Sequence, residues 1–255
     1  MTAPIAGFLF CTAAIAGALN AVAGGGSFIT LPALIYAGVP AVAANATSTA
    51  AMWPGSLSSA WAYRRELGAA NRWLAVLSLV SLIGGLLGAL LLVRTSDTSF
   101  LRVLPWLMLV AAMTFTFGNR LTARVGSRAV VLLGAHDQHP TRWTVLLQLV
   151  IAAYGGYFGG GMGIMMLAIL AVSGMTNLHA MNGIKSLLAV AINGVALVAF
   201  IVNGSVAWAP GVVMIAGGII GGYAGAAFAR RMDERHVWWF VAGVAWLMTV
   251  YFFVR

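Results

Sequence analysis

Ala23-Gly24-Gly25-Gly26-Ser27-Phe28 sets three consecutive glycines inside apolar sequence that otherwise runs unbroken from Ile5 to Ala37. Each interior glycine costs a helix about 1 kcal/mol relative to alanine, so three together predict a break in the backbone. Backbone broken at bilayer depth has to be buried in protein or line a cavity. A second triplet, Gly159-Gly160-Gly161, lies in an equivalent setting between Trp143 and Ser173. Two matching broken helices point to the binding site of a transporter.

Composition settles the solvent. Of 255 residues, 62% are hydrophobic and 7% charged, and the mean hydropathy is +0.97. No soluble globular domain has that balance, so the chain reads as an all-α polytopic membrane protein embedded in a lipid bilayer. The net charge is +9, but its arginines are spread among short loops rather than along one face. That distribution fits topology signals and argues against a nucleic-acid partner. Cys11 is the only cysteine, which excludes an intrachain disulfide and a cysteine-rich metal site. Ala21-Val22-Ala23 resembles a signal cleavage site, yet Met1 to Pro4 carries no Lys or Arg, so Ile5 onward is read as retained membrane sequence.

The first element is expected from Ile5 to Ala23, resuming from Ser27, its N-cap, to Ala37. Ala41 to Tyr63 follows, interrupted by Pro54 and unusually polar at Asn45-Ala46-Thr47-Ser48-Thr49. Trp73 to Val93 contains Gly84-Gly85 and Gly88, small residues that let a neighbouring helix approach closely. Phe100 to Gly118 closes the first half, and a polar connector reaches Thr141. The second half holds Trp143 to Phe158, the second triplet with Met162 to Ser173, Leu178 to Val202, Trp208 to Ala229 and Val237 to Val254.

Four landmarks recur at separations of 133 to 137 residues: Gly24 with Gly159, Asn45 with Asn182, Gly84-Gly85 with Gly217-Gly218, and Arg94/Asp97 with Arg230/Asp233. The chain therefore divides into a first membrane repeat over 1–118, a cytoplasmic connector over 119–140 and a second repeat over 141–255. If every element spans, the arginines divide eight against five. If each broken element is a re-entrant hairpin followed by three transmembrane helices, the second repeat is inverted. Ten arginines then lie on one side and only Arg94, Arg102 and Arg255 on the other, which obeys the positive-inside rule better. Ile5 to Ala23 is nevertheless long enough to span by itself.

Lys185, the only lysine, lies seven residues into the segment that begins at Leu178, about 10 Å deep. A cation there is expensive and usually functional; snorkelling of its stem to the headgroups is the bland alternative. No Asp or Glu falls inside an expected span, so an anionic substrate is a natural partner. Asn45, Thr47 and Ser48, with Asn182 and Ser186 beside Lys185, supply hydrogen-bond donors at matching places in the halves, unless they serve packing between helices. Gly24, Gly25 and Gly26 before Ser27, and Gly159, Gly160 and Gly161, offer backbone N–H groups at half-helix N-termini, where an anion is favoured. His136-Asp137-Gln138-His139 reads as a solvated loop rather than a metal site, and His179 as interfacial. No cofactor is expected, and no hydrolase or zinc-protease motif is present, so an enzyme is disfavoured.

These residues together resemble the sulfite exporter TauE/SafE family, also called the four-toluene sulfonate uptake permease family. The resemblance rests on Gly17-Ala18-Leu19-Asn20 through Phe28, Leu31-Pro32-Ala33-Leu34, Gly38-Val39-Pro40 and Ala44-Asn45-Ala46-Thr47-Ser48, with Gly159-Gly160-Gly161-Met162-Gly163 and Asn182-Gly183-Ile184-Lys185-Ser186 as the weaker second repeat. It implies a multi-pass permease of the bacterial cytoplasmic (inner) membrane for sulfite, organosulfonates or related anions. Leu167 stands where the first repeat has Pro32, so the halves are expected to contribute unequally. Secondary transport by alternating access is the leading expectation, with an anion channel or membrane-bound sensor as the alternative. Self-association into a homo-oligomer stays open.

Overall fold

The computed structural model of the chain describes residues 1–22, 25–62, 64, 72–132, 142–173, 175, 178–229 and 234–254. Gly24, Glu66, Asp233 and the loop from His136 to His139 lie outside them, as does the side chain of His179. The described residues form ten helices and no strand: α1 (Ala3–Val22), α2 (Ser27–Tyr36), α3 (Ala41–Ala62), α4 (Arg72–Val93), α5 (Asp97–Leu132), α6 (Arg142–Tyr157), α7 (Met162–Val172), α8 (Leu178–Val202), α9 (Trp208–Ala229) and α10 (Glu234–Val254). Among the described residues, four stretches are long and apolar enough to cross a bilayer: Ala3–Asn20, Leu74–Val93, Asp97–Gly118 and Ala180–Val202. The chain is a multi-pass helical membrane protein, with Leu79, Leu87, Leu91, Val150 and Ile220 among the many large apolar side chains on its outer surface.

Both breaks occur at the glycine triplets, and at each the chain folds back on itself. In the first, Gly26 packs on Ala16 while the rings of Phe8 and Tyr36 meet edge-to-face at 5.7 Å. Rising sequence numbers on α1 thus face falling numbers on α2, which defines an antiparallel helical hairpin. In the second, Gly155 faces Met162 near the turn, and Thr144 Oγ1 lies 3.1 Å from Ser173 Oγ at the open end. The turns need glycine for conformation, because Gly25, Gly159 and Gly161 have φ of 92°, 82° and 76°.

Ser27 is not the N-cap of α2. With Gly25 already left-handed, Gly26 enters helical geometry at φ −54° and takes the cap position without a side-chain hydrogen bond. Two further boundaries differ from the sequence expectation. Pro54 lies within a continuous α3, where losing one i→i−4 bond does not end a helix packed against α2, α8 and α9. α5 continues past Gly118 to Leu132, since Arg, Leu and Ala favour a helix there and the stretch holds no proline and a single glycine, Gly126.

Packing between the halves follows one rule applied twice. α1 lies along α9, and α6 lies along α4. Both contacts are parallel and made at glycines: Gly217 meets Phe10 and Gly221 meets Ala14 in one, Gly84 meets Leu149 and Gly88 meets Ala153 in the other. A Cβ at Gly221 or Gly88 would collide with the Ala14 or Ala153 carbonyl oxygen, so no residue but glycine permits this approach. α5 and α10 run antiparallel, because Trp106 meets Phe253 and Trp246 Nε1 donates to Thr116 Oγ1 at 3.0 Å. α3 and α8 cross where Trp53 Nε1 donates to the Val190 carbonyl and its ring covers Gly194.

Candidate functional site

The polar residues named from sequence fall into two clusters, one at each hairpin. At the first, Thr30 Oγ1 donates to the Gly26 carbonyl at 3.2 Å and lies 2.6 Å from Ser48 Oγ. Thr30 has one hydroxyl proton, so Ser48 is the donor to it. The resulting relay, Ser48 to Thr30 to Gly26, ties the first turn to α3. Thr30, Ser48 and Gly26 are all buried. A Cβ on Gly26 would stand 2.7 Å from the Ala16 carbonyl oxygen, so no side chain fits.

Thr47, one residue away on α3, serves a different junction. Its hydroxyl donates to the Ala43 carbonyl at 2.6 Å and accepts the Ala207 N–H at 2.9 Å. It fastens the start of α9 to α3, with its proton spent inside the protein. Asn45 reaches the other hairpin: its Nδ2 donates to the Tyr157 carbonyl at 2.9 Å, two residues before the second triplet.

That second turn is further held by Tyr154, whose hydroxyl is shared between the carbonyls of Gly160 at 2.8 Å and Leu107 at 3.2 Å. Gly161, left-handed, accepts from the N–H groups of Ile164 and Met165. Among the described residues, the N–H groups of Met162 and Gly163 donate to no carbonyl. They are the first two of α7, at the positive end of its dipole.

Lys185 lies beside them. Its stem crosses Gly163, where an added Cβ would sit 3.4 Å from Lys185 Cδ. Its Nζ donates to Asn182 Oδ1 at 2.8 Å, one turn back on α8. No other hydrogen bond and no ion pair is made by Nζ among the described residues, so two of its three N–H donors are open. Ser186 follows on α8, buried, and its hydroxyl makes no hydrogen bond among the described residues. Lys185, Asn182 and Gly163 thus meet at the mouth of α7, while Ser48 and Thr30 close the equivalent place in the first half.

Thr30, Tyr154 and Tyr157 are the participants that sequence reading misses. Thr30 lies on an apolar helix where a threonine reads as packing, and Tyr157 acts only through its backbone. Tyr154 carries a usable signal, a phenol six residues before a broken turn whose carbonyls need donors.

The sulfite exporter TauE/SafE family model matches residues 9–252. A "Probable membrane transporter protein" of Haemophilus influenzae is 28% identical over 246 residues, covering 94% of this chain and 91% of the relative. "Probable membrane transporter protein ORF9" of a Sinorhizobium species is 30% identical over 233 residues, covering 89% and 84%. "Probable membrane transporter protein YfcA" of Escherichia coli is 28% identical over 236 residues, covering 90% and 82%. No solved structure matches the chain.

Proposed function

We propose that this chain, which belongs to the sulfite exporter TauE/SafE family, is a secondary transporter that moves sulfite, an organosulfonate or a related small sulfur-containing anion by alternating access. The observation that carries the reading is the Lys185 ammonium. It sits on a membrane helix, holds only an amide oxygen among the described residues, and stands beside the open N-terminus of α7. A monovalent anion there would meet the ammonium, the N–H groups of Met162 and Gly163, and the Ser186 hydroxyl. Charge-assisted bonds of that kind contribute about 1.5–3 kcal/mol each.

In this reading Asn182 orients the amine, and Asn45 keeps the second turn in register by taking up the Tyr157 carbonyl. The first hairpin, with Gly25, Gly26 and Ser27, forms the opposite wall together with Ser48 of α3. The halves act as inverted repeats, each a re-entrant hairpin plus three spanning helices. The antiparallel course of α5 and α10 supports that relation, as does the exchange by which α1 packs on α9 and α6 on α4. With ten arginines inside, both termini lie outside and the 119–140 connector faces the cytoplasm of a bacterial inner membrane.

A binding screen of purified protein against sulfite, sulfate, thiosulfate and several sulfonates tests the substrate class. Saturable uptake of the bound anion into liposomes with counterflow is expected. Currents far above carrier turnover would instead make the protein a channel.

A further inference from the structure

Among the described residues, Lys185 has no ion-pair partner. α8 packs against α3, α4, α6 and α7. The only titratable or charged residues these four helices carry are Arg72 and Arg142 at their first positions, and Tyr154 and Tyr157 near the end of α6. α8 itself adds only His179, next to its start. None of the five helices carries a carboxylate. The Tyr154 hydroxyl is engaged with two carbonyls, and the Tyr157 ring packs on Phe100.

This isolation constrains the empty half of a transport cycle. Loaded with a monovalent anion, the site is neutral overall and can be occluded without an uncompensated charge. Once emptied, an ammonium would be left with an amide oxygen alone, and a buried cation so placed is strongly disfavoured. Two routes avoid that state. Another anion binds before the carrier turns, which makes an obligate exchanger, or the ammonium gives up its proton and the carrier returns with a neutral amine.

The partner of Lys185 favours the second route. Asn182 Oδ1 is a neutral acceptor that takes an N–H from an amine as well as from an ammonium. A carboxylate in its place would hold the proton. Lysine, unlike arginine, can exist uncharged inside a protein.

We infer that Lys185 is the proton-coupling group of the cycle, moving one proton with each monovalent anion and returning as the neutral amine. The inference rests on the reading of Lys185 as the counter-charge of the anion. On release, the ammonium passes its proton to water in the compartment that receives the anion. The amine takes a proton from water on the opposite side, and nothing is oxidised or reduced.

The test uses purified full-length protein in liposomes with radiolabelled sulfite, at a fixed, mildly acidic external pH where bisulfite dominates. An alkaline lumen should raise the initial rate of wild-type uptake by up to about tenfold per pH unit, and an imposed membrane potential should change it little. Lys185→Arg, which cannot lose its charge, should keep exchange against internal sulfite at reduced affinity. Its net uptake into sulfite-free vesicles should fall at least roughly tenfold and ignore lumen pH. Wild-type uptake indifferent to lumen pH, or driven strongly by an inside-positive potential, overturns the inference and needs no variant. So does Lys185→Arg net uptake that responds to lumen pH as wild type does. Unchanged sulfite binding in Lys185→Met would have a different meaning: it removes the anion site on which the inference stands.

Discussion

The two glycine-broken hairpins share a backbone plan and differ in what they do with it. In the first, a hydroxyl on α3 closes the turn, Ser48 bonding to Thr30 and Thr30 to the Gly26 carbonyl. In the second, the residue three positions after the matching asparagine is Lys185, whose stem crosses Gly163 and whose amine has donors to spare. The second turn is held instead from behind, by Tyr154 and by Asn45 of the other half. The first hairpin thus has its turn closed by a hydroxyl, and the second has a charged side chain beside it. The difference teaches that two hairpins broken by the same glycine device can be set apart chemically by one residue on the helix packed against each, Ser48 on α3 and Lys185 on α8.

The largest effect expected on the frame is at Gly161. Alanine there takes on a left-handed backbone, costing about 1–2 kcal/mol, and its Cβ would press on Ala111 Cα at 3.1 Å. At Gly159 the same strain arises, but the nearest atom is the Gly155 carbonyl oxygen at 3.4 Å. Thermal unfolding in detergent should therefore rank Gly161→Ala well below Gly159→Ala, and equal melting would show that backbone strain alone governs both.

Asn45→Ala comes next. It leaves the Tyr157 carbonyl without its donor, a loss of about 1–3 kcal/mol, and should lower both stability and anion affinity because the second turn loses its register. Asn45→Asp offers no N–H and should not rescue it. Affinity unchanged in a destabilised Asn45→Ala would uncouple that asparagine from the charged wall.

Ser48→Ala should have the smallest effect. Thr30 keeps its own bond to Gly26, so about 1 kcal/mol of stability is lost and anion affinity stays within about threefold of wild type. A tenfold or larger loss of affinity would mean that both walls bind the anion directly, and the contrast between the hairpins would fail. Orientation is checked separately with Cys11 replaced and single cysteines placed at Arg128 and Val254. The inverted arrangement expects them to react from opposite sides of the membrane, and labelling from the same side would refute it.

Element order was legible in the sequence because glycine triplets and long apolar runs are strong local signals. Nine of the ten helices begin and end within about three residues of the expected bounds. α5 is the exception, since polarity after Gly118 marks the end of the apolar span and not the end of the helix. Lys185 was legible as a lone cation at depth. Its approach to Gly163 was not, because that contact joins α8 to α7 and no spacing rule reports it. Ser27 was misread as a cap because a serine before an apolar run is a good N-cap signal, while the left-handed Gly25 moves the cap back to Gly26. Thr47 looked like a donor facing the substrate; its partners, Ala43 and Ala207, become visible only once α9 is placed against α3.

The central claim is that the ammonium of Lys185, and not its stem, holds the anion. Equilibrium binding of sulfite to purified wild type, Lys185→Arg and Lys185→Met separates the two, since Met keeps an apolar stem and Arg keeps the charge. The account predicts partial affinity in Lys185→Arg and a loss on the order of thirtyfold or more in Lys185→Met, with all three proteins equally folded. Equal sulfite affinity in wild type and Lys185→Met would contradict it.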